Sequence, residues 1–345
     1  MEKMIGGTHL SFSVSDDSHI GELRRALKDL GAINAFAPEL VGRAEIIASE
    51  LATNLIKYTD KGGEILIGSL AVDDLRALEI ISLDKGPGMS NPQKMLEDGV
   101  STTGTLGGGL GAIKRFSDEF DMNSRPDKGT AMLSRIWNQR RPAHDYQPTV
   151  EVGGVMVAMP GEYVCGDRWA ARRGKGTVQV AVTDGLGHGP AAAIASDACM
   201  QVFFEESASR LRPGDLLRRM HEATRHTNGA AAAIAELDAA HGVLTYSGVG
   251  NIATRMSSAS NQKSCASMPG GLGFQLPKVR EFTYPWTEEV GLLMNSDGIT
   301  TSVAMDGLRN HHPSLIAAIL YRDFKRGTDD ATVVVVGGKK RDNLT

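Results

Sequence analysis

Hydrophobic and polar positions change period several times along the first 137 residues. In "HLSFSVS", residues 9–15, they alternate, which predicts a strand. "DDSHIGELRRALKDLG" follows with helical spacing and acidic residues at its start. A longer helix is predicted over "PELVGRAEIIASELATNLIKYT". There Val41, Ala44, Ile47, Ala48, Leu51 and Leu55 return with helical period, and Pro38 suits the first turn. "DKGG" turns the chain into "EILIGSLAV", and "DD" separates that run from "LRALEIISLD", the punctuation of an antiparallel hairpin. "GGGLGAIKRFSDEF" reads as a loop running into a helix, and "FDMNSRPDKGTAMLSRIW" as two strands around a turn.

Residues 138–149, "NQRRPAHDYQPT", are polar, carry two prolines and show no period, which suits a linker. Beyond them the strand-like runs are "GGVMVAMP", "GTVQVAVTD", "GAAAAIAELD", "HGVLTYSGVG", "VGLLMNSDG" and "ATVVVVGG". They surround two helical stretches, "PAAAIASDACMQVFFEESAS" and "RPGDLLRRMHEATRH". A chain of 345 residues exceeds the size at which one core keeps growing, so two α+β domains are expected, 1–137 and 150–345, with 138–149 between them. An apolar share of 41%, a charged share of 23% and a net charge of −4 describe a soluble protein with no bias toward polyanions, which argues against nucleic acid. No run reaches the ~18 apolar residues of a membrane span and the N-terminus lacks a signal-like apolar segment, so a cytoplasmic location is expected. Cys165, Cys199 and Cys265 are too few and too scattered for a disulfide framework or a zinc site.

On the long predicted helix Glu50 and Asn54 are four residues apart and share one side. Taken alone they would be surface residues of an amphipathic helix. They are followed by "DKGPGMS", where Asp84 ends a strand and Gly86 and Gly88 permit a close turn, and by "STTGTLGGGLG", a glycine-rich loop entering a helix. Such a loop offers backbone N–H groups and a helix N-terminus to phosphate oxygens. The series resembles the GHKL superfamily of ATP-binding domains over roughly residues 8–137. In "EDGVSTTG", "GGGLGAIKRFSDEFDMNS" and "KGT" it is similar to the bacterial serine kinases that phosphorylate STAS-domain anti-sigma antagonists. The resemblance implies a Bergerat-type α/β two-layer sandwich that binds ATP. It further implies that Asn54 holds Mg²⁺, Glu50 activates the substrate hydroxyl and Asp84 reads the adenine amino group, while Gly86, Gly88, Gly107, Gly109 and Gly111 shape the phosphate lid. Phosphoryl transfer needs these residue types: positioning groups, a metal bridge and a base near the nucleophile.

The second half places aspartates at strand ends. Asp184 follows the apolar "VQVAVT", Asp167 lies in "VCGDRW", Asp297 ends "GLLMNSDG", and Asp329 and Asp330 introduce "ATVVVV". One aspartate before a glycine is a routine turn. Several at separate strand ends could converge on two hard cations such as Mg²⁺ or Mn²⁺. The order "GD … DGLGHG … SDG … DDAT" resembles the SpoIIE-type branch of the metal-dependent protein phosphatases related to protein phosphatase 2C, over about residues 150–338. The resemblance implies an α-β-β-α sandwich in which Asp184 bridges two metals, the Gly185 carbonyl ligates one, and Asp167, Asp297 and Asp329 complete the cluster. Asp330 would support the site, and His188 would serve either as a general acid or to stiffen its loop. Glu162 stands where eukaryotic relatives carry a phosphate-binding arginine. His221, His226, His311 and His312 are expected at the surface.

The expectation is therefore a bifunctional regulator in a bacterial partner-switching pathway. It would phosphorylate and dephosphorylate serine or threonine on STAS-domain partners, either anti-sigma antagonists or a stressosome scaffold. The alternative is a phosphatase whose ATP-binding domain is a sensor, or sequesters a sigma factor or other regulator.

Overall fold

The structure is a computed structural model that describes residues 2–96, 109–139, 150–174, 176–205, 211–258, 261–274, 278–301, 303–305 and 307–338. It opens with strand β1 (Glu2–Gly6). There follow β2 (Leu10–Val14), α1 (Ser18–Ile33), α2 (Pro38–Tyr58), β3 (Gly63–Val72), β4 (Leu75–Leu83), α3 (Pro92–Met95), α4 (Gly109–Phe116), β5 (Glu119–Arg125) and β6 (Gly129–Trp137). The chain divides into two compact units. The described residues 9–139 form one, and residues 2–8 together with 150–338 form the other.

In the unit 9–139 the strand order is β2-β3-β4-β6-β5, antiparallel throughout. The helices form a second layer. Leu23, Leu27, Ala44, Ile47, Leu51 and Leu55 from α1 and α2 pack with Ile65, Ile67, Leu78, Ile80, Met132 and Ile136 of the sheet. Helix α2 starts where expected, with Pro38 in its first turn, Glu39 beside the positive end and Lys57 in its last turn. Each fully buried Leu or Ile contributes about 1.5–3 kcal/mol, so this one helix supplies much of the core.

The other unit continues with β7 (Val150–Val157), β8 (Asp167–Arg173), β9 (Thr177–Gly185), α5 (Gly189–Phe204), α6 (Pro213–Ala223), β10 (Ala230–Asp238), β11 (Val243–Val249), β12 (Ala253–Ser257), β13 (Gln262–Ser264), β14 (Phe282–Pro285), β15 (Gly291–Asn295), α7 (Pro313–Phe324) and β16 (Ala331–Gly338). Its strands run β14-β11-β10-β9-β8-β1 in one antiparallel sheet and β13-β12-β15-β16-β7 in the second. Helices α5 and α6 cover the first sheet through Cys199, Phe203, Leu217 and Met220. Helix α7 packs on β7 and β16. The result is the α-β-β-α layering.

The expected boundaries need correction at both ends of the first unit. Strand β1 pairs with β8, Met4 facing Ala171 and Ile5 facing Ala170, so residues 2–8 belong with 150–338 and not with the unit they precede. Asn138 still bonds to both backbone groups of Arg76 and so continues the first unit. The rest of the expected linker, 140–149, lies outside the described residues.

Candidate functional site

Asp167 opens β8 and Asp184 lies one residue from the end of β9, and the antiparallel register sets them directly opposite each other. Paired strand positions lie only about 4.5–5.5 Å apart, so the fold itself forces two carboxylates together. Asp297 follows β15 in the turn Ser296–Gly298, and Asp329 precedes β16, which pairs with β15. Burial pushes the Asp184 carboxyl well above the usual carboxylate range, and Asp167, Asp297, Asp329 and Asp330 push it in the same direction. Asp167 is 1% exposed and is raised by the same causes, burial first and then Asp330 and Asp329.

These residues fit a cation. Asp167 Oδ2 is buried without a hydrogen-bond partner, which is costly unless something positive meets it. Each of Asp167, Asp297, Asp329 and Asp330 raises the Asp184 carboxyl, although among the described residues no three His, Cys, Asp or Glu side chains converge into a set that could hold a metal ion. Gly185 has no room for a side chain, since a Cβ there would lie 2.0 Å from the Ala192 carbonyl oxygen. Asp330 differs from its neighbours. Its Oδ1 accepts the Met159 N–H at 2.7 Å and its Oδ2 the Gly166 N–H at 2.6 Å, so both oxygens are spent on fixing the loop that delivers Asp167. Asn251 donates to Asp297 Oδ2 at 2.7 Å. Glu162 Oε1 lies 2.6 Å from His188 Nδ1, just before α5.

In the other unit Glu50 and Asn54 lie on α2 facing Gly109, the first residue of α4. A Cβ on Gly109 would sit 2.9 Å from Glu50 Oε2 and 4.0 Å from Asn54 Oδ1. Asn54 Nδ2 is buried and unpartnered, an amide held ready for a ligand oxygen. Asp84, 8% exposed at the end of β4, accepts the N–H groups of Gly86 at 2.8 Å and Thr130 at 3.1 Å through Oδ1. Gly88 is at φ +67°, and a Cβ there would lie 2.0 Å from the Arg125 carbonyl oxygen, so the turn admits only glycine. Gly111 is buried within α4. Gly107 and most of the "GTLGGGLG" loop lie outside the described residues.

Sequence reasoning missed the hydrogen bonds of Asp330 and the Glu162–His188 pair. It also misplaced His221, which is 5% exposed and accepts the Gly273 N–H at Nδ1 (3.0 Å), whereas His226 is exposed as expected. His311 and His312 are half-buried, and His312 caps α7. All three cysteines are free and buried.

Comparison with known proteins matches residues 13–135 to the histidine kinase-like ATPase domain and residues 174–338 to the stage II sporulation protein E (SpoIIE) family. A curated relative, the serine/threonine-protein kinase RsbT of Bacillus subtilis (strain 168), is 40% identical over 114 residues, 33% of this chain and 82% of its own length. The solved structure "The bacterial stressosome: a modular system that has been adapted to control secondary messenger signaling" is 29% identical with a TM-score of 0.51, covering 55% of this chain and 100% of the other. RsbX in complex with magnesium shares the fold at 19% identity and a TM-score of 0.50, covering 56% of this chain and 98% of the other. No helix among the described residues is long and apolar enough to cross a membrane. The chain belongs to the GHKL-like ATPase family through an N-terminal unit homologous to the serine/threonine kinase RsbT, and it joins that unit to a SpoIIE-type protein phosphatase domain in the architecture of a partner-switching regulator.

Proposed function

We propose that this chain drives one phosphorylation cycle in both directions. It transfers phosphate from ATP to a serine or threonine of a STAS-domain partner, and it hydrolyses the same phosphoester with Mg²⁺ or Mn²⁺. The observation that carries the reading is the survival of both reactive sets in one chain: Glu50 beside Gly109 with Asn54 on the same helix, and Asp167 opposite Asp184. A carboxylate at Glu50, beside Gly109, favours catalysis over nucleotide binding alone.

In the forward direction Asp84 and the turn through Gly86 and Gly88 hold the adenine, and Gly109 and Gly111, with Gly107, enclose the phosphates. Asn54 would supply an oxygen to Mg²⁺, and Glu50 would take the proton of the attacking hydroxyl. In the reverse direction Asp167, Asp184, Asp297, Asp329 and the Gly185 carbonyl would hold the metals. When bound, two such ions lower the pKa of a water and neutralise phosphoryl oxygens. Asp330 acts at one remove: it fixes Met159 and Gly166 and thereby the position of Asp167. His188 is braced by Glu162 and stiffens the loop after Gly185. Glu162, engaged with His188, offers no guanidinium to a substrate phosphate at that position. The compartment consistent with ATP and a STAS partner is the cytoplasm.

The reading is tested on hydrolysis of a phosphoserine STAS protein. Asp184→Asn abolishes it, as does excess chelator on wild type, while the variant's metal-free melting temperature stays at or above wild type because one repelling carboxylate is gone. Full activity in chelator would contradict the assignment.

A further inference from the structure

Asp297 is met by a residue from another part of the chain. It lies half-buried in the turn after β15, and its Oδ2 accepts a hydrogen bond from Asn251 Nδ2 at 2.7 Å. Strand pairing brings the two together. In the first sheet Asp167 faces Asp184, and Asp184 faces Ala231. One residue beyond the Ala232–Val249 pair, Gly250 closes on Ala231: a Cβ on Gly250 would lie 2.5 Å from the Ala231 Cβ. The row across β8, β9, β10 and the end of β11 thus runs from Asp167 to Gly250, and Asn251 is the next residue. From there the chain crosses to the second sheet. Strand β12 pairs with β15, Ala253 facing Asn295, and two residues earlier on that register Asn251 comes level with Asp297.

Asn251 is exposed, yet the backbone that carries it is fixed on both sides. The Gly250 N–H donates to the Met268 carbonyl at 3.0 Å, with Gly250 at φ +93°, and Ile252 is 2% exposed. The turn that carries Asp297 is set as closely. A Cβ on Gly298 would lie 1.9 Å from the Asp330 carbonyl oxygen, and the Arg326 N–H donates to the Gly298 carbonyl at 2.8 Å. An amide donor suits a carboxylate that must hold a cation. An ammonium or guanidinium in its place would neutralise Asp297 and compete with the metal. A carboxylate there would add to the repulsion that already acts on Asp184. The neutral amide engages one oxygen and leaves the charge of Asp297 in place.

We infer that Asn251 is a positioning residue of the metal centre: by engaging Oδ2 it fixes the rotation of the Asp297 carboxylate and keeps Oδ1 for the cation. The inference rests on the phosphatase reading above, in which Asp297 is a ligand. Asn251 acts through Asp297, so its loss weakens metal binding and leaves the fold intact.

The test measures Mn²⁺ binding to the full chain by titration calorimetry without nucleotide, for wild type, Asn251→Ala and Asn251→Gln, together with the metal-free melting temperature of each. Asn251→Ala is expected to raise the Kd for Mn²⁺ about tenfold, and by the same factor the Mn²⁺ concentration that half-activates hydrolysis of p-nitrophenyl phosphate. Its metal-free melting temperature should stay within about 1 °C of wild type. Asn251→Gln keeps an amide donor on a longer arm at an exposed position and is expected to bind Mn²⁺ within about threefold of wild type. An Ala variant that binds Mn²⁺ as tightly as wild type overturns the inference, and so does a Gln variant no tighter than Ala. A weakened Kd accompanied by a metal-free melting temperature lowered by more than about 5 °C overturns it too, because Asn251 would then be a prop of the turn. Each of these leaves the phosphatase reading standing. If wild type binds no Mn²⁺, or hydrolyses p-nitrophenyl phosphate at full rate in excess chelator, the metal assignment itself has failed and the role of Asn251 falls with it.

Discussion

Glu79 shows how one buried residue makes this fold depend on pH. It lies on β4, 3% exposed, with Oε1 3.0 Å from His9 Nε2 and Oε2 bonded by the Arg135 guanidinium, whose Nε lies at 2.9 Å. Burial alone would raise its pKa; Arg135 and the His9 hydrogen bond overcome that and hold it down at about 2. Because the folded value lies below the ordinary 4.5, the stabilisation is complete above pH about 4.5 and is lost as pH falls toward about 2. Replacing Glu79 by Gln leaves Arg135 in the interior with one anionic partner fewer, and is expected to cost about 3 kcal/mol at pH 7. Thermal melts of the two proteins should converge as pH falls through that window. A difference that stays constant from pH 7 to pH 2 would show that Glu79 is not ionised in the fold.

At the scale of elements, strand β1 carries the clearest consequence. Met4 is 6% exposed on a strand paired with β8, which begins with the candidate ligand Asp167. Burying one Met contributes about 2 kcal/mol, and at about 2–4 °C per kcal/mol for a domain of this size, a 150–345 fragment should melt about 4–8 °C below the same fragment carrying residues 2–8 on a flexible linker. Equal melting temperatures would mean that β1 adds nothing to that sheet. The strand was not legible because "EKMIG" has neither length nor alternation, and its partner was hidden too. "DRWAARR" carries three arginines and no apolar run, so no strand was expected there, yet Arg172 is buried, bonded to the Gln179 side chain and the Phe203 carbonyl, with its guanidinium 4.5 Å from the Phe203 ring centre. Helix α7 escaped for the opposite reason: Pro313 to Tyr321 are all buried, so no polar face marks a period. The long amphipathic α2 and the β3–β4 hairpin were legible because each keeps one face apolar against a single core. Of the sites, Asp184, Asp297 and Asp329 could be picked out as single carboxylates next to apolar runs. What Asp330 does could not, since its partners Met159 and Gly166 lie 171 and 164 residues away.

For the whole molecule, two opposed activities in one chain would consume ATP without net change unless something biases one of them. Net phosphorylation of the substrate should therefore depend on ATP level and on whatever partner engages either unit. The measurement that tests this account most directly is the steady-state phosphorylation of a STAS-domain substrate incubated with ATP and Mg²⁺ or Mn²⁺ and each of three proteins. Glu50→Ala, which loses the base but keeps the adenine and phosphate contacts, should drive phosphorylation below the wild-type level. Asp184→Asn, which loses the reverse reaction, should drive it above. Displacement of the two variants in the same direction, or a Glu50→Ala protein that phosphorylates at the wild-type rate, would contradict the account.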